Sequence, residues 1–258
     1  VVVPSLNSGE FIAEAIRSAL AQEPPPYEVV VQDGGSTDST HDALIRFGDR
    51  VTWRSEPDGG QADALNRAIS RARGDWVIWL NADDKLVPGA LAAVAHAHQR
   101  EPSADFFYGD FEVIAADGSR RRRFRSSPYD PARVFTHGCY IFSGAIVWGR
   151  ALLDRVGPFD PALQGCMDFD YLMRVGQARA VHVGQPVAQF RVTGSQKSSR
   201  MRRTFLRESH DIRWRHAGNS RRRKVLTLLL DARDSLYLAT HSIRNARAWA
   251  ALRGERTL

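Results

Sequence analysis

The chain has 258 residues, 43% of them hydrophobic and 25% charged, which suits one large globular domain with an appendage and excludes collagen-like, coiled-coil and disordered chains. Two cysteines, Cys139 and Cys166, form no disulfide framework and lack the spaced partners of a zinc site, as expected for a reducing compartment. The net charge of +7 is concentrated in residues 199–258, while the body before them is mildly acidic. With no apolar run long enough to cross a bilayer and no signal pattern at its start, the sequence is expected in the cytoplasm.

Val1-Val2-Val3 reads as a strand entering a polar turn, after which Phe11, Ile12, Ala15, Ile16 and Ala19 recur on one helical face. Pro24-Pro25-Pro26 ends that helix, and Tyr27 to Asp33 is a second strand finishing on a carboxylate. Gly34-Gly35-Ser36-Thr37-Asp38 then leads into a helix bearing Ala43, Leu44 and Phe47. These glycines are adjacent, not spaced Gly-x-Gly-x-x-Gly, which weighs against a Rossmann dinucleotide site. Asp33 at the strand tip suits a ribose hydroxyl or base N–H, and equally an ordinary turn. Val51 to Arg54 is a third strand, and Asp58 and Asp63 bracket the start of the helix carrying Ala62, Leu65 and Ile69.

Trp76-Val77-Ile78-Trp79-Leu80 is short, apolar and β-branched or aromatic, the pattern of a central parallel strand covered on both faces. It runs directly into Asn81-Ala82-Asp83-Asp84. Open α/β sheets bind ligands at the carboxyl ends of their strands, so these acids suit a cation; a helix cap ahead of Pro88 is the alternative. Pro88 is expected to open a helix with Leu91, Val94 and Ala95 in its stripe.

The rhythm then changes. Phe106 to Ile114 is followed by the hairpin signal Asp117-Gly118 and by Arg120 to Arg123, read as a solvated strand edge. Phe142 to Trp148 is a strand leading to a helix around Leu152 and Leu153. Asp168 and Asp170 stand at the start of another helix, where an isolated Asp-x-Asp commonly serves the helix dipole. Val187 to Val192 is the last strand, and Lys197 in the polar loop after it is a candidate phosphate contact. From Met201 the chain reads as helices. Val225, Leu226, Leu228, Leu229, Leu236 and Leu238 lie behind the basic Arg221–Lys224 cluster, a face suited to a membrane surface, a homodimer seam or the body of the protein.

Val-Val-Val-Pro-Ser-Leu-Asn at the start, Val-Gln-Asp-Gly-Gly-Ser-Thr-Asp-Ser-Thr at 31–40, Glu-Pro-Asp-Gly-Gly-Gln-Ala-Asp-Ala-Leu-Asn at 56–66, Leu-Asn-Ala-Asp-Asp at 80–84 and Met-Asp-Phe-Asp-Tyr-Leu-Met-Arg at 167–174 together resemble the inverting glycosyltransferases of family 2. The resemblance covers about residues 1–198. It implies an α/β fold of GT-A type, a mixed, mostly parallel central sheet flanked by helices. Residues 1–100 would be the nucleotide-binding half and 101–198 the acceptor and catalytic half, with 199–258 a basic helical extension.

By the same resemblance, Pro4, Ser5, Asn7, Asp33, Asp63 and Ala82 bind the nucleotide, and Asp83 holds Mg²⁺ or Mn²⁺ on the diphosphate. Asp168 is the implied catalytic base and Asp170 a helper or structural neighbour. The implied donor is a nucleoside diphosphate sugar, UDP foremost with GDP and dTDP open. The implied acceptor is a glycan or lipid-linked molecule, with peripheral contact at the inner face of a membrane through the basic tail. Three positions depart from the family pattern: Leu6 stands where Tyr is frequent, Asn81 replaces the first acid of the metal motif, and Thr193 stands where His is frequent. A nucleotidyltransferase is disfavoured because the first turn, Leu6 to Glu10, lacks Lys and Arg. The acidic body and lack of a binding motif disfavour a nucleic-acid partner. A relative that binds sugar nucleotides without catalysis is the remaining rival.

Overall fold

The computed structural model describes residues 1–193 and 201–236. Strands β1 (Val2–Ser5), β2 (Val30–Asp33) and β3 (Thr52–Ser55) pair in parallel with β2 in the middle. Their register sets Ser5 beside Asp33 and Asp33 beside Ser55, so the three carboxyl tips are level. Helices α1 (Ile12–Leu20), α2 (Thr40–Ile45) and α3 (Gln61–Arg71) follow or separate these strands as the β-α alternation predicts.

The apolar run from Trp76 joins the two halves of the molecule. Trp79 bridges Val2 in parallel, and the Leu80 amide donates to the Val2 carbonyl at 3.0 Å. On its other side β4 (Trp76–Ile78) pairs antiparallel with β8 (Ile146–Gly149). The strand is therefore central, as expected, but only one neighbour is parallel. Beyond β8 lie β6 (Phe106–Ala115) and β9 (Ala180–Val192), which pair in parallel, and β5 (Lys85–Leu86), antiparallel to β9.

Alternation along the strands explains why both faces are covered. Val3, Val31, Ile78, Leu80, Phe107 and Val147 pack on one face with α1, α2 and α4 (Ala90–Arg100). Their sequence neighbours Val2, Val30, Val77, Trp79, Phe106 and Ile146 pack on the other with α3, α6 (Arg150–Val156) and α7 (Met167–Val175). Ile212 of α8 (Arg202–Ala217) belongs to this second core.

Several boundaries differ from expectation. Lys85 and Leu86 form β5, so α4 starts after Gly89, whose left-handed φ of +77° ends the turn, and not at Pro88. Ser143–Ala145 is a 3-10 turn and only Ile146–Gly149 is strand. The last strand begins at Ala180 instead of Val187 because pairing with β6 extends it through half-polar sequence. Helix α5 (Pro131–His137) was not anticipated, although Pro131 at its first turn and the Asp130 carboxylate accepting from the Ala132 amide at 2.9 Å are ordinary start signals.

The Asp117-Gly118 hairpin forms as expected and delivers β7 (Arg120–Phe124), whose four arginines are exposed. Arg120 pairs with Glu112 at 3.0 Å and Arg123 with Asp110 at 2.9 Å. Residues 221–236 are helical, with Val225, Leu226, Leu228, Leu229 and Leu236 exposed. Leu238 and Lys197 lie outside the described residues. Among the described residues no helix is long and apolar enough to cross a membrane.

Phe107 is fully buried, with its ring centroid 4.9 Å from that of Trp76. Phe107→Ala is expected to lower unfolding free energy by about 3–5 kcal/mol, read from urea denaturation. Arg121→Ala on the exposed edge should stay within about 0.5 kcal/mol of the parent.

Candidate active site

At the tip of β1 the chain must turn sharply into α1. Asn7 takes a left-handed φ of 49°, a conformation Asn tolerates better than most residues. Its amide donates to Ser36 Oγ at 2.7 Å and its Oδ1 accepts from the Thr37 amide at 2.9 Å, so the first two tips are tied together. Ser5 is buried, and its hydroxyl has no hydrogen-bond partner. Pro4 and Ala82 are buried beside these turns.

Asp33 is fully buried yet saturated with donors. It receives the Ser36 amide at 2.9 Å, the Ser36 hydroxyl, the Gly35 amide at 3.2 Å and the Ser55 hydroxyl at 2.6 Å, with His41 Nε2 at 3.0 Å. Burial alone would raise its pKa, but the hydrogen bonds from Ser36, Ser55 and His41 outweigh it and hold the carboxyl below its ordinary range. His41 and Ser55 were not singled out in the sequence; neither belongs to a local motif.

Asp58 and Asp63 hold the third tip. Asp58 accepts from the Gly60 amide, and Asp63 accepts from the Gly59 amide while pairing with Arg67 at 2.8 Å. A Cβ on Gly34 would lie 2.9 Å from Asp58 Oδ2, so the second and third tips approach only because position 34 is glycine. Burial raises the pKa of Asp58, and the negative charges of Asp63 and Asp33 add to the shift.

The acids at 83 and 84 have different environments. Asp84 is buried and accepts from Asn81 Nδ2 at 2.8 Å and from the Arg191 amide at 2.9 Å. The cap of α4 is Gly89, without a side-chain bond, so the helix-cap alternative for these acids does not hold. Burial, reinforced by the charge of Asp83, pushes the Asp84 pKa upward. Asp83 is half-buried, and among the described residues no side-chain donor or ion pair engages its carboxylate. Burial raises its pKa, partly offset by its own amide and by Arg191.

Arg191 braces this corner from behind. It is fully buried, donating Nε to the Asp83 carbonyl at 2.8 Å, Nη1 to the Ala116 carbonyl at 2.6 Å and Nη2 to Glu14 at 2.7 Å. Asn81 explains its own departure from the acidic pattern. Its Oδ1 accepts from Gln61 at 2.9 Å and Trp79 Nε1 at 2.8 Å, while its amide group serves Asp84.

Among the described residues no three His, Cys, Asp or Glu groups cluster as a metal site. Among the described residues the Asp83 carboxylate makes no side-chain hydrogen bond or ion pair, which leaves it as a hard oxygen donor at this corner. That fits Mg²⁺ or Mn²⁺ in its usual setting of one or two carboxylates plus substrate phosphates, rather than in an all-protein cage.

Helix α3 links this corner to the second acidic pair. Its first residue, Gln61, holds Asn81, and Asn66 exchanges two hydrogen bonds with the backbone of Phe159 at 2.8 and 2.9 Å. The loop so anchored leads to α7. Asp168 in its first turn is half-buried; its Oδ1 accepts only the Phe169 amide at 2.7 Å, and the Cys139 thiol is within hydrogen-bond reach. Burial raises its pKa. Asp170 is buried against Arg174 at 2.8 Å and Arg215 at 3.3 Å. Such engagement ties Asp170 to its own helix and to α8. A cavity of about 490 Å³ lies at the opposite, amino ends of β1 and β4, against Val1, Tyr27, Trp76 and His98, away from every one of these acids.

A parallel β-α half whose level tips meet an acidic corner, continued by a mixed second half, is the GT-A type nucleotide-diphospho-sugar transferase fold. The family model described as glycosyl transferase family 2 matches residues 1–159, and the chain belongs to that family. A PGL/p-HBAD biosynthesis glycosyltransferase of Mycobacterium tuberculosis is 33% identical over 181 residues, 67% of this chain and 68% of that protein. An uncharacterized glycosyltransferase of Rickettsia felis is 26% identical over 72% of this chain, which spans only 33% of that longer protein. The S. aureus TarS 1-349 crystal structure in complex with UDP-GlcNAc aligns with a TM-score of 0.68 at 19% identity, covering 92% of this chain and 72% of that one. The mannosyltransferase PcManGT from Pyrobaculum calidifontis, in complex with GDP-Man and Mn²⁺, aligns at 0.61 and 19%, covering 97% and 79%.

Because the folded-state pKa of Asp33 is depressed, its stabilising contribution is complete at neutral pH and is lost as pH falls through and below the ordinary carboxylate range. Asp33→Asn should cost about 1–3 kcal/mol at neutral pH and flatten the acid limb of the stability curve, measured by urea denaturation across pH. Asn81→Asp sets a second carboxylate against Asp84 at the present 2.8 Å contact. It should destabilise the metal-free protein by about 1–3 kcal/mol, with Mn²⁺ restoring part of the loss in a thermal shift assay.

Proposed function

We propose that the protein transfers a sugar from a nucleoside diphosphate donor to an acceptor hydroxyl with inversion at the anomeric carbon. The observation that carries this reading is the contrast between two uncommitted carboxylates and their occupied neighbours. Among the described residues the Asp83 carboxylate has no side-chain hydrogen bond or ion pair, and Asp168, in the first turn of α7, has a pKa raised by burial. Pro4, Ser5, Asn7, Asp33, Asp63 and Ala82 form the nucleotide side. The orphaned Ser5 hydroxyl supports this assignment, since a buried polar group without a partner is costly unless a ligand completes it.

In the reaction Asp168 takes the proton of the acceptor hydroxyl as that oxygen attacks the anomeric carbon from the face opposite the diphosphate. The new oxygen–carbon bond forms while the carbon–phosphate-oxygen bond breaks, and its electron pair leaves with the nucleoside diphosphate. A raised pKa makes Asp168 a stronger base than an exposed aspartate. A divalent cation held by Asp83 would supply Lewis-acid neutralisation of the charge developing on the diphosphate. Arg191 and Asn81 hold the Asp83–Asp84 turn in place for that role.

UDP is the first donor nucleotide to test, since UDP-GlcNAc occupies TarS; GDP follows, from the GDP-Man complex of PcManGT. We assign the acceptor to glycan or lipid-linked chemistry of the cell envelope, a reading supported by the mycobacterial relative's role in PGL/p-HBAD biosynthesis. The exposed leucines of residues 221–236, beside Arg221 and Arg222, support peripheral association with an anionic membrane face.

Calorimetric titration with UDP, GDP and dTDP, first with Mn²⁺ and then with chelator, tests the donor side. Metal-dependent binding of one diphosphate should disappear in Asp83→Ala. Asp168→Asn should bind that diphosphate normally while losing about 10²–10⁴-fold in turnover. Unchanged turnover in Asp168→Asn would remove the base from this assignment, and absence of any binding in the parent would remove the donor site.

A further inference from the structure

Glu208 lies on α8, beyond the residues matched by the family model, in a stretch that reads as plain basic helix. Its side chain is buried, at 5% exposure, and reaches across to the segment that precedes α7. Oε1 accepts from the Gln164 amide at 2.8 Å, and Oε2 from the Gly165 and Cys166 amides, each at 2.8 Å. Three consecutive backbone N–H groups thus converge on one carboxylate, an anion nest filled from inside the molecule.

The location gives this contact its consequence. Cys166 is the cap residue of α7 and offers no side-chain cap, so the negative charge favoured at this helix start is supplied by Glu208 from another helix. Asp168 is the second residue of α7. Asp168 itself accepts from the Phe169 amide at 2.7 Å, with the Cys139 thiol beside it.

Further contacts of α8 fix the same segment. The Cys166 thiol donates to the Phe205 carbonyl at 3.5 Å, and a Cβ on Gly165 would meet the Phe205 ring at 3.0 Å. Arg215 reaches Asp170 at 3.3 Å and Asp160 at 3.7 Å. The Arg213 guanidinium, anchored on the Phe135 carbonyl, lies 5.6 Å from the centre of the Phe169 ring.

We propose that Glu208 is a positioning residue for the transfer reaction: by binding the amides of Gln164, Gly165 and Cys166 it fixes the segment that enters α7, and with it the direction in which the first turn presents Asp168 to the acceptor hydroxyl. The proposal rests on the reading of Asp168 as the base. It makes α8 part of the catalytic apparatus, although α8 contributes no group that touches the donor or the acceptor.

The test compares Glu208→Gln, Glu208→Ala and Asp168→Asn with the parent in the full chain. Glu208→Gln keeps the shape but sets an NH₂ group against the amides, and it carries the test if Glu208→Ala fails to fold. Turnover of UDP-GlcNAc and of GDP-mannose is read as nucleoside diphosphate release with water as acceptor, and amide hydrogen exchange is followed through residues 164–168. Glu208→Gln should lower kcat about 10-fold, and Glu208→Ala about 100-fold, with the donor KM within about 2-fold of the parent. Exchange at Gly165 and Cys166 should quicken about 10-fold or more while the sheet stays protected.

Unchanged exchange at 164–168, or faster exchange with a parental kcat, overturns the proposal. So does a loss that falls on donor KM instead of kcat. If Asp168→Asn is inactive while Glu208→Gln turns over like the parent, the positioning role fails and the base assignment stands. If Asp168→Asn is fully active, the base assignment fails and takes this proposal with it.

Discussion

The backbone pairing between Val2 and the Trp79–Leu80 segment is the contact on which the rest of the molecule depends. It is short, a single parallel bridge and one amide bond of 3.0 Å, but it joins the parallel half of the sheet to the mixed half. The residues that follow Leu80 are thereby delivered beside the tip of β1. Without that junction, Asn81 to Asp84 would end one sheet while Ser5, Asn7 and Asp33 ended another. Its strength comes from what surrounds it: Val2 and Trp79 are buried in one core, and Leu80 in the other.

Once the tips are level, the chemistry follows from how each carboxylate is occupied. Asp33 is saturated by Ser36, Ser55 and His41 and holds loops together. Asp84 and Asp170 are buried and partnered, and they brace their turns. Asp83, beyond the central strand, and Asp168, in the first turn of α7, are half-buried and have fewer partners among the described residues. Desolvation raises both pKa values, because a carboxylate partly removed from water and lacking a strong counter-charge holds its proton more tightly.

The segments that carry Asp83 and Asp168 are held from outside their own motifs. Arg191 comes from the last strand to hold the Asp83 carbonyl, and Glu208 comes from α8 to hold the amides before Asp168. Each uses a charged side chain on backbone groups, which fixes a turn without occupying the carboxylate that the turn presents.

Local patterns settled much of this arrangement in advance. The β-α repeats, the apolar run at Trp76, the Asp117-Gly118 hairpin and the solvated arginines of β7 follow from periodicity, turn chemistry and charge, all properties of neighbouring residues. The same holds for Asp33 and Asp83 at strand ends. Boundaries that depend on a distant partner were not legible: β9 starts seven residues earlier than its apolar stretch because β6 pairs with it, and β5 exists only because β9 lies alongside. The distinction between Asp168 and Asp170 was equally hidden, since both lie in one helical turn and only Arg174, Arg215 and Cys139 separate their roles. Sequence by itself determined which residues are strand tips, turns and acids, because those are short-range consequences of residue type. Only the tertiary structure decided which acids remain unoccupied, because occupation is set by partners as remote as Arg191 and Glu208, brought close by burial and not by spacing along the chain.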